Sequence, residues 1–185
     1  MAAANKLKRG IPNLLSGLRL LLAPVFIWLY FRPGWGAAVI FALCGLTDLL
    51  DGYLARRWDA RSDLGRVLDP LSDKVLTVSA LACFAVSGRL NRALAAVMIC
   101  TELLILFGGV CLLCLSVVPQ AQFAGKAAAA AITVAVWSGL LFPAWQGLRY
   151  FMFVSLTLTA FALGTYALQT LKILGMFLTM DKKKI

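Results

Sequence analysis

The sequence contains no histidine among its 185 residues, and charged residues make up only 14% of it. The absence of histidine excludes acid–base catalysis by imidazole and metal sites built on imidazole ligands. The scarcity of charge excludes an ordinary soluble domain, because 62% of the residues are hydrophobic and such a domain needs a charged surface. The apolar stretches are continuous rather than alternating, which favours membrane helices over a β-barrel.

Acidic residues are also scarce, with 8 against 18 basic residues and a net charge of +10. The basic residues flank apolar spans instead of forming one patch, so we expect contact with membrane lipids and no nucleic acid partner. The five cysteines all lie within apolar runs, which favours packing over a zinc or redox role. We expect no cleavable signal peptide, because the first apolar span is too long and lacks a convincing cleavage site.

Six apolar stretches have roughly the length that a bilayer core demands, and they predict an all-α integral membrane protein with six transmembrane helices in one bundle. The sequence contains no internal repeat, so we expect one membrane domain over residues 1–185, with polar tails at about 1–10 and 178–185. The predicted spans are about 11–30, 37–56, 67–86, 93–117, 124–141 and 150–176.

Basic residues are distributed unevenly between the two sides of this six-span arrangement. Most of them fall on the side that carries both termini and the connection from Arg57 to Arg66. Cytoplasmic loops carry an excess of Lys and Arg, so we expect both termini to be cytosolic and the protein to lie in the cytoplasmic membrane. The opposite side carries Arg32, Arg89, Arg92 and Arg149.

Six of the 8 acidic residues lie between Asp48 and Asp73. The uncharged runs 33–47 and 75–88 are shorter than the roughly 20 residues of a full span, so the second and third helices must carry acids into the membrane from the cytosolic side. Asp48 and Asp51 are three residues apart, and Asp69 and Asp73 are four apart, so each pair shares a helix face. We therefore expect the four carboxylates to converge.

Converging carboxylates in a membrane require compensation, since each ionised group costs roughly 2.5–3.5 kcal/mol there. Two divalent cations would neutralise the four acids, and an oxygen-only ligand set favours Mg²⁺ or Mn²⁺. The acids could instead pair with Arg56, Arg66 and Lys74 in a structural network, or line a proton or ion path. Spacing alone leaves these alternatives open.

The four aspartates belong to a longer pattern, Asp48-x2-Asp51-Gly52-x2-Ala55-Arg56-x8-Gly65-x3-Asp69-x3-Asp73. This pattern resembles the signature of the CDP-alcohol phosphatidyltransferase family at every spacing. The segments Ile11-Pro12-Asn13-Leu14-Leu15-Ser16 and Leu68-Asp69-Pro70 look most like bacterial phosphatidylglycerophosphate synthases and the related cardiolipin synthases. The likeness covers most of the first 130 residues, and the last two spans match only in length and hydrophobicity.

The resemblance implies a reaction in phospholipid biosynthesis, in which a phosphatidyl group passes from CDP-diacylglycerol to glycerol 3-phosphate and CMP is released. It implies two metal ions that grip the diphosphate, an active site facing the cytosol, and a homodimer. Asp73 would also be the general base on the acceptor hydroxyl. The implied metal ligands are Asp48, Asp51, Asp69 and Asp73, and the implied CDP-lipid contacts are Gly52, Ala55, Arg56 and Gly65.

The acceptor side departs from the phosphatidylglycerophosphate synthases. Thr101 stands where they carry an Arg before the acid of the fourth span, and Gly125-Lys126-Ala127-Ala128-Ala129 replaces Gly-Lys-x-Lys-Thr. The expected acceptor contacts are Arg19, Arg61 and Lys126.

Fewer cations suit an acceptor without a phosphomonoester, so a cardiolipin synthase that uses phosphatidylglycerol is an alternative. A membrane cation transporter that uses the same carboxylates is a second alternative, although transport does not explain Gly52, Ala55, Arg56 and Gly65 at their spacings. A third is an inactive scaffold, which the intact set of costly buried carboxylates disfavours.

Overall fold

A computed structural model of the protein describes residues 2–58, 63–114, 123–143, 145 and 147–181, with side chains for 14–50, 68–110, 123–143, 145 and 147–168. Within these residues the chain forms six α-helices, as the apolar stretches predict. They are α1 (Ala2–Tyr30), α2 (Gly36–Trp58), α3 (Asp63–Val86), α4 (Arg92–Cys114), α5 (Phe123–Leu141) and α6 (Leu148–Asp181).

Three helices contain segments that are long and apolar enough to cross a membrane: Arg92–Val110, Phe123–Leu141 and Leu148–Leu168. Two shorter apolar segments, Leu14–Tyr30 and Gly36–Leu50, lie in α1 and α2. Together with the all-helical described chain, these segments confirm the predicted membrane-helical bundle.

The outer helices extend beyond the predicted spans. α1 begins at Ala2 rather than near residue 11, and α6 continues to Asp181. Residues 2–10 are rich in alanine and lysine, which favour the helix even outside a membrane core. α2 and α3 also leave a shorter connection than expected, residues 59–62, which lies outside the described residues.

α1 packs against both α2 and α3, whereas α2 and α3 touch each other over only a short stretch. α5 packs along α6, and α4 packs along α3. Aromatic side chains join α1 and α2 to α5. The ring centroid of Phe41 lies 6.1 Å from that of Phe26 and 5.6 Å from that of Trp137. Phe41 of α2 therefore links α1 to α5.

Candidate functional site

Asp48 on α2 and Asp73 on α3 line one cavity of about 470 Å³. The side chain of Asp48 is 46% exposed, and Asp73 is also exposed to the cavity. The two carboxylates come from separate helices, as the spacing of the acids predicts. The cavity therefore presents carboxylate oxygens to any ligand that enters it.

Arg19 of α1 lies buried beside these carboxylates, with a side chain that is 1% exposed. Its Nη1 donates hydrogen bonds to Oδ1 of Asp48 at 2.8 Å and to Oγ of Ser72 at 3.0 Å. A buried guanidinium is stabilised when charged and polar acceptors surround it. Arg19 thus connects three helices at the wall of the cavity.

Ser16 adds a second link between α1 and α3, because its Oγ donates a hydrogen bond to Oδ1 of Asp69. Ser72 Oγ also donates to the backbone oxygen of Asp69 at 3.0 Å. Ser16 and Arg19 are three residues apart on α1, and Asp69 and Ser72 are three apart on α3. Two matching helix faces therefore form one polar contact next to the aspartate cavity.

The remaining wall of the cavity is mostly apolar. Phe41 and Leu49 contribute from α2, Leu76 from α3 and Trp137 from α5. Carboxylates thus stand beside a hydrophobic surface, which suits a ligand with a charged head and apolar chains.

Lys126 lies exposed near the start of α5. It precedes Thr133, a cavity-lining residue, by two helical turns or about 10 Å on the same helix face. The side chains of Asp51, Ala55 and Arg56 lie outside the described residues, as does the whole of Arg61. Gly52 and Gly65 lie in α2 and α3, where the structure describes the helix but not their surroundings. The structure therefore brings together Arg19, Asp48, Asp69 and Asp73, and it places Lys126 farther along α5.

Lys74 and Glu102 form an ion pair between α3 and α4. Glu102 is 2% exposed, and Lys74 adjoins Asp73 in the sequence. A charge buried in a membrane bundle requires an opposite charge, and this pair provides it. Glu102 is therefore the counter-ion of Lys74.

Carboxylates of Asp48, Asp69 and Asp73 are hard oxygen donors of the kind that Mg²⁺ and Mn²⁺ prefer. Among the described side chains, no three acids or cysteines lie close enough together to hold an ion by themselves. The side chain of Asp51, the fourth acid of the motif, is outside that set. The donor chemistry of the described acids fits a divalent cation.

The sequence did not identify Ser16 or Ser72 as site residues, and it predicted Arg19 only as a contact to the acceptor substrate. A signal was present, because Ser16 and Arg19 are polar residues on one face of an otherwise apolar segment of α1. Such a face must contact polar groups inside a membrane protein.

Comparison with known proteins gives one family and several relatives. The model of the CDP-alcohol phosphatidyltransferase family matches residues 9–173. A cardiolipin synthase (CMP-forming) of Streptomyces coelicolor is 40% identical over 126 residues, which cover 64% of this chain and 59% of that protein. A rat cardiolipin synthase (CMP-forming) is 56% identical over 68 residues, or 36% of this chain and 22% of the relative.

A CDP-diacylglycerol–glycerol-3-phosphate 3-phosphatidyltransferase of Cereibacter sphaeroides is 49% identical over 77 residues, or 39% of this chain and 35% of that protein. The chain thus spans less than two thirds of the length of each of these curated relatives.

Proposed function

Because the chain belongs to the CDP-alcohol phosphatidyltransferase family, we propose that it transfers a phosphatidyl group from CDP-diacylglycerol to glycerol 3-phosphate and releases CMP. One observation carries this proposal: Asp48 and Asp73, at the spacing of the family motif, face a single cavity with an apolar wall. A substrate that carries two acyl chains and a diphosphate needs both the carboxylates and the apolar wall. The proposed role is therefore phospholipid biosynthesis within the membrane.

The metal ions implied by the motif would be held by Asp48, Asp51, Asp69 and Asp73, two ions to a site. When bound, they would supply positive charge to the diphosphate and to the leaving CMP. Arg19 would hold the Asp48 carboxylate in place through the hydrogen bond at 2.8 Å. Ser16 would do the same for Asp69.

In the proposed reaction, the acceptor hydroxyl oxygen forms a bond to the phosphorus that carries diacylglycerol. The bond between that phosphorus and the oxygen of CMP breaks, and CMP leaves with the bonding electrons. Asp73 accepts the proton of the hydroxyl, which its exposure to the cavity allows. The small residues Gly52, Ala55 and Gly65 would leave room for the nucleotide. Arg56 would contact the nucleotide phosphate.

Phosphatidylglycerol is a second candidate acceptor, which would make the protein a cardiolipin synthase. A phosphomonoester favours several cationic donors, yet Arg19 already binds Asp48 and Lys74 already binds Glu102. Ala128, at the position of a lysine in the glycerol 3-phosphate enzymes, is a buried small residue here. The Streptomyces coelicolor relative, named as a cardiolipin synthase, also supports this acceptor.

The charge distribution supports a cytoplasmic membrane location in which both termini and the aspartate cavity face the cytosol. CDP-diacylglycerol would then present its nucleotide to that side, where a polar acceptor arrives from water. The family resemblance supports a homodimer. Cation transport through the same carboxylates remains the non-enzymatic alternative, and it predicts cation flux into liposomes that lack any CDP-lipid.

The decisive experiment measures CMP release by the purified full chain in detergent with Mg²⁺ and CDP-diacylglycerol. Glycerol 3-phosphate, phosphatidylglycerol, inositol phosphate and serine are supplied separately. We expect release with glycerol 3-phosphate or phosphatidylglycerol, and loss of release after chelation of the metal. Asp73→Asn should abolish release, whereas Asp181→Asn, which removes an acid outside the motif, should leave it unchanged.

The identity of the acceptor follows from the same assay. Release with phosphatidylglycerol alone would establish a cardiolipin synthase and overturn the first acceptor assignment. Folded protein that binds Mg²⁺ but releases no CMP with any acceptor would contradict the transferase proposal.

A further inference from the structure

Two adjoining cavities lie at the end of the bundle opposite the aspartates. Their volumes are about 670 Å³ and 500 Å³, and both are lined by Gly88, Arg149 and Phe153. The end of α3 at Val86 is about 20 Å from Asp73 along the helix axis. These cavities are therefore separate from the proposed transferase site.

The charge at this end is uniformly positive. Arg149 and Arg89 line the cavities, and no acid occurs in the sequence at residues 74–101 or 103–180. Arg149 is exposed and makes no hydrogen bond or ion pair with the described part of the chain. The first turn of α6, which contains Arg149, adds the positive end of a helix dipole. An anionic group is the complement of this surface.

Arg89 is held in a fixed position at the same place. Its Nη1 donates to the backbone oxygen of Gly139 at 3.3 Å, and its guanidinium stands 5.2 Å from the ring centroid of Tyr30. Because a guanidinium carries five N–H donors, these contacts leave donors for a phosphate. One arginine is thus preorganised and the other is free to close on a ligand.

An apolar groove continues from the arginines between α4 and α6. Leu94 and Val97 line it from α4, and Phe153 and Leu156 line it from α6. At the basic end, Trp145 is 45% and Tyr150 is 76% exposed, which is typical of aromatic residues at a membrane interface. A basic end followed by an apolar groove matches the charge and apolar pattern of a phospholipid.

We propose that this end of the bundle binds one anionic phospholipid, whose phosphate contacts Arg149 and Arg89 and one of whose acyl chains lies in the groove between α4 and α6. A free phosphate would use the arginines but leave the groove empty. The occupant is a lipid of the leaflet opposite the proposed active site. Its binding is independent of CDP-diacylglycerol turnover.

The test is native mass spectrometry of the purified full chain titrated with phosphatidylserine or with phosphatidylcholine of the same acyl chains. Phosphatidylserine is chosen because it is anionic and is neither proposed acceptor. We expect tighter retention of phosphatidylserine, and a loss of about tenfold in Arg149→Gln, as for one charge-assisted contact. Arg92→Gln is the matched control, since Arg92 is an exposed arginine at the same end that lines neither cavity.

A second variant tests the groove without altering charge. Val97→Trp, at a half-exposed lining residue, should weaken retention of phosphatidylserine and leave the effect of Arg149→Gln intact. Equal affinity for both lipids, equal losses in Arg149→Gln and Arg92→Gln, or displacement of the lipid by inorganic phosphate at millimolar concentration would each overturn the proposal. CMP release by Arg149→Gln should stay unchanged, which confirms that the variant is folded.

Discussion

Arg19 on α1 donates a hydrogen bond from Nη1 to Oδ1 of Asp48 on α2, across a distance of 2.8 Å. The same nitrogen donates to Ser72 on α3, so one buried cation joins three helices at the wall of the cavity. If one partner of a buried pair is removed, the other charge is left uncompensated. The position of the Asp48 carboxylate therefore depends on Arg19.

We expect Arg19→Lys to lower kcat for CMP release by roughly 10- to 100-fold, the equivalent of one or two lost hydrogen bonds to a charged group. Lysine keeps the charge, but its side chain ends one bond nearer the backbone, so its ammonium is displaced from the position at which Nη1 contacts both Asp48 and Ser72. The measurement is kcat and KM for each acceptor in detergent. KM for the acceptor should change less than kcat.

The control for this substitution is Arg32→Lys, because Arg32 is exposed and its guanidinium lies over Trp28 at 5.0 Å, away from the cavity. That variant should retain full activity. If Arg19→Lys raised the acceptor KM while kcat stayed constant, Arg19 would be an acceptor contact, as the sequence predicts, rather than a positioning residue.

The Lys74–Glu102 pair should contribute strongly to stability. Glu102→Gln leaves the Lys74 ammonium without its partner inside the bundle, and we expect the free energy of unfolding to fall by about 3–5 kcal/mol. Unfolding in mixed micelles, followed by circular dichroism, measures this loss. The double substitution Lys74→Met/Glu102→Met should recover most of it, because no unpaired charge remains.

A cycle of the wild type, Lys74→Met, Glu102→Met and the double variant separates this pair from ordinary packing. If the losses of stability in Lys74→Met and Glu102→Met simply added up to the loss in the double variant, the pair would contribute no net attraction. Activity is followed in parallel, because Lys74 adjoins Asp73 and its release could disturb that carboxylate.

The six helices could be predicted from the sequence because membrane spans follow directly from apolar length. The entry of the acidic residues into the membrane could be predicted for a related reason. Uncharged runs too short to cross on their own require Asp48 and Asp73 to enter the membrane, and the structure puts both on one cavity.

The interactions of α1 could not be predicted in the same way. Helix length and charge do not reveal which helix packs between two others, and here α1 packs against both α2 and α3, whereas α2 and α3 share a short contact. Arg19 and Ser16 therefore have partners that depend on tertiary packing. The pairing of Lys74 with Glu102 depends in the same way on the packing of α4 against α3.

The apolar wall of the cavity should determine affinity for CDP-diacylglycerol. Gly45 lines the cavity, and a Cβ added there meets no atom within 4 Å. Gly45→Leu should therefore fold normally but occupy space that an acyl chain would use, raising KM for CDP-diacylglycerol by about tenfold. Gly108→Leu on α4 is the matched control, because it also adds a side chain in open space but lies outside this cavity. Equal KM values in both variants would place the lipid elsewhere.

Close packing of α5 against α3 makes Gly139 sensitive to a single methyl group. A Cβ at this position would lie 2.6 Å from Cζ of Phe84 and 3.1 Å from Cδ1 of Leu148. Phe84 is fully buried, so its ring cannot move without disturbing the aromatic core. We expect Gly139→Ala to lower the free energy of unfolding by about 1–3 kcal/mol, the usual effect of overpacking.

Gly108→Ala introduces the same methyl group in a helix without any neighbour within 4 Å. It should therefore keep or slightly raise stability, since alanine favours the helix over glycine. Comparison of the two variants in mixed-micelle unfolding cancels the difference in helix propensity. Equal stabilities would mean that α5 and α3 can separate at this point without cost.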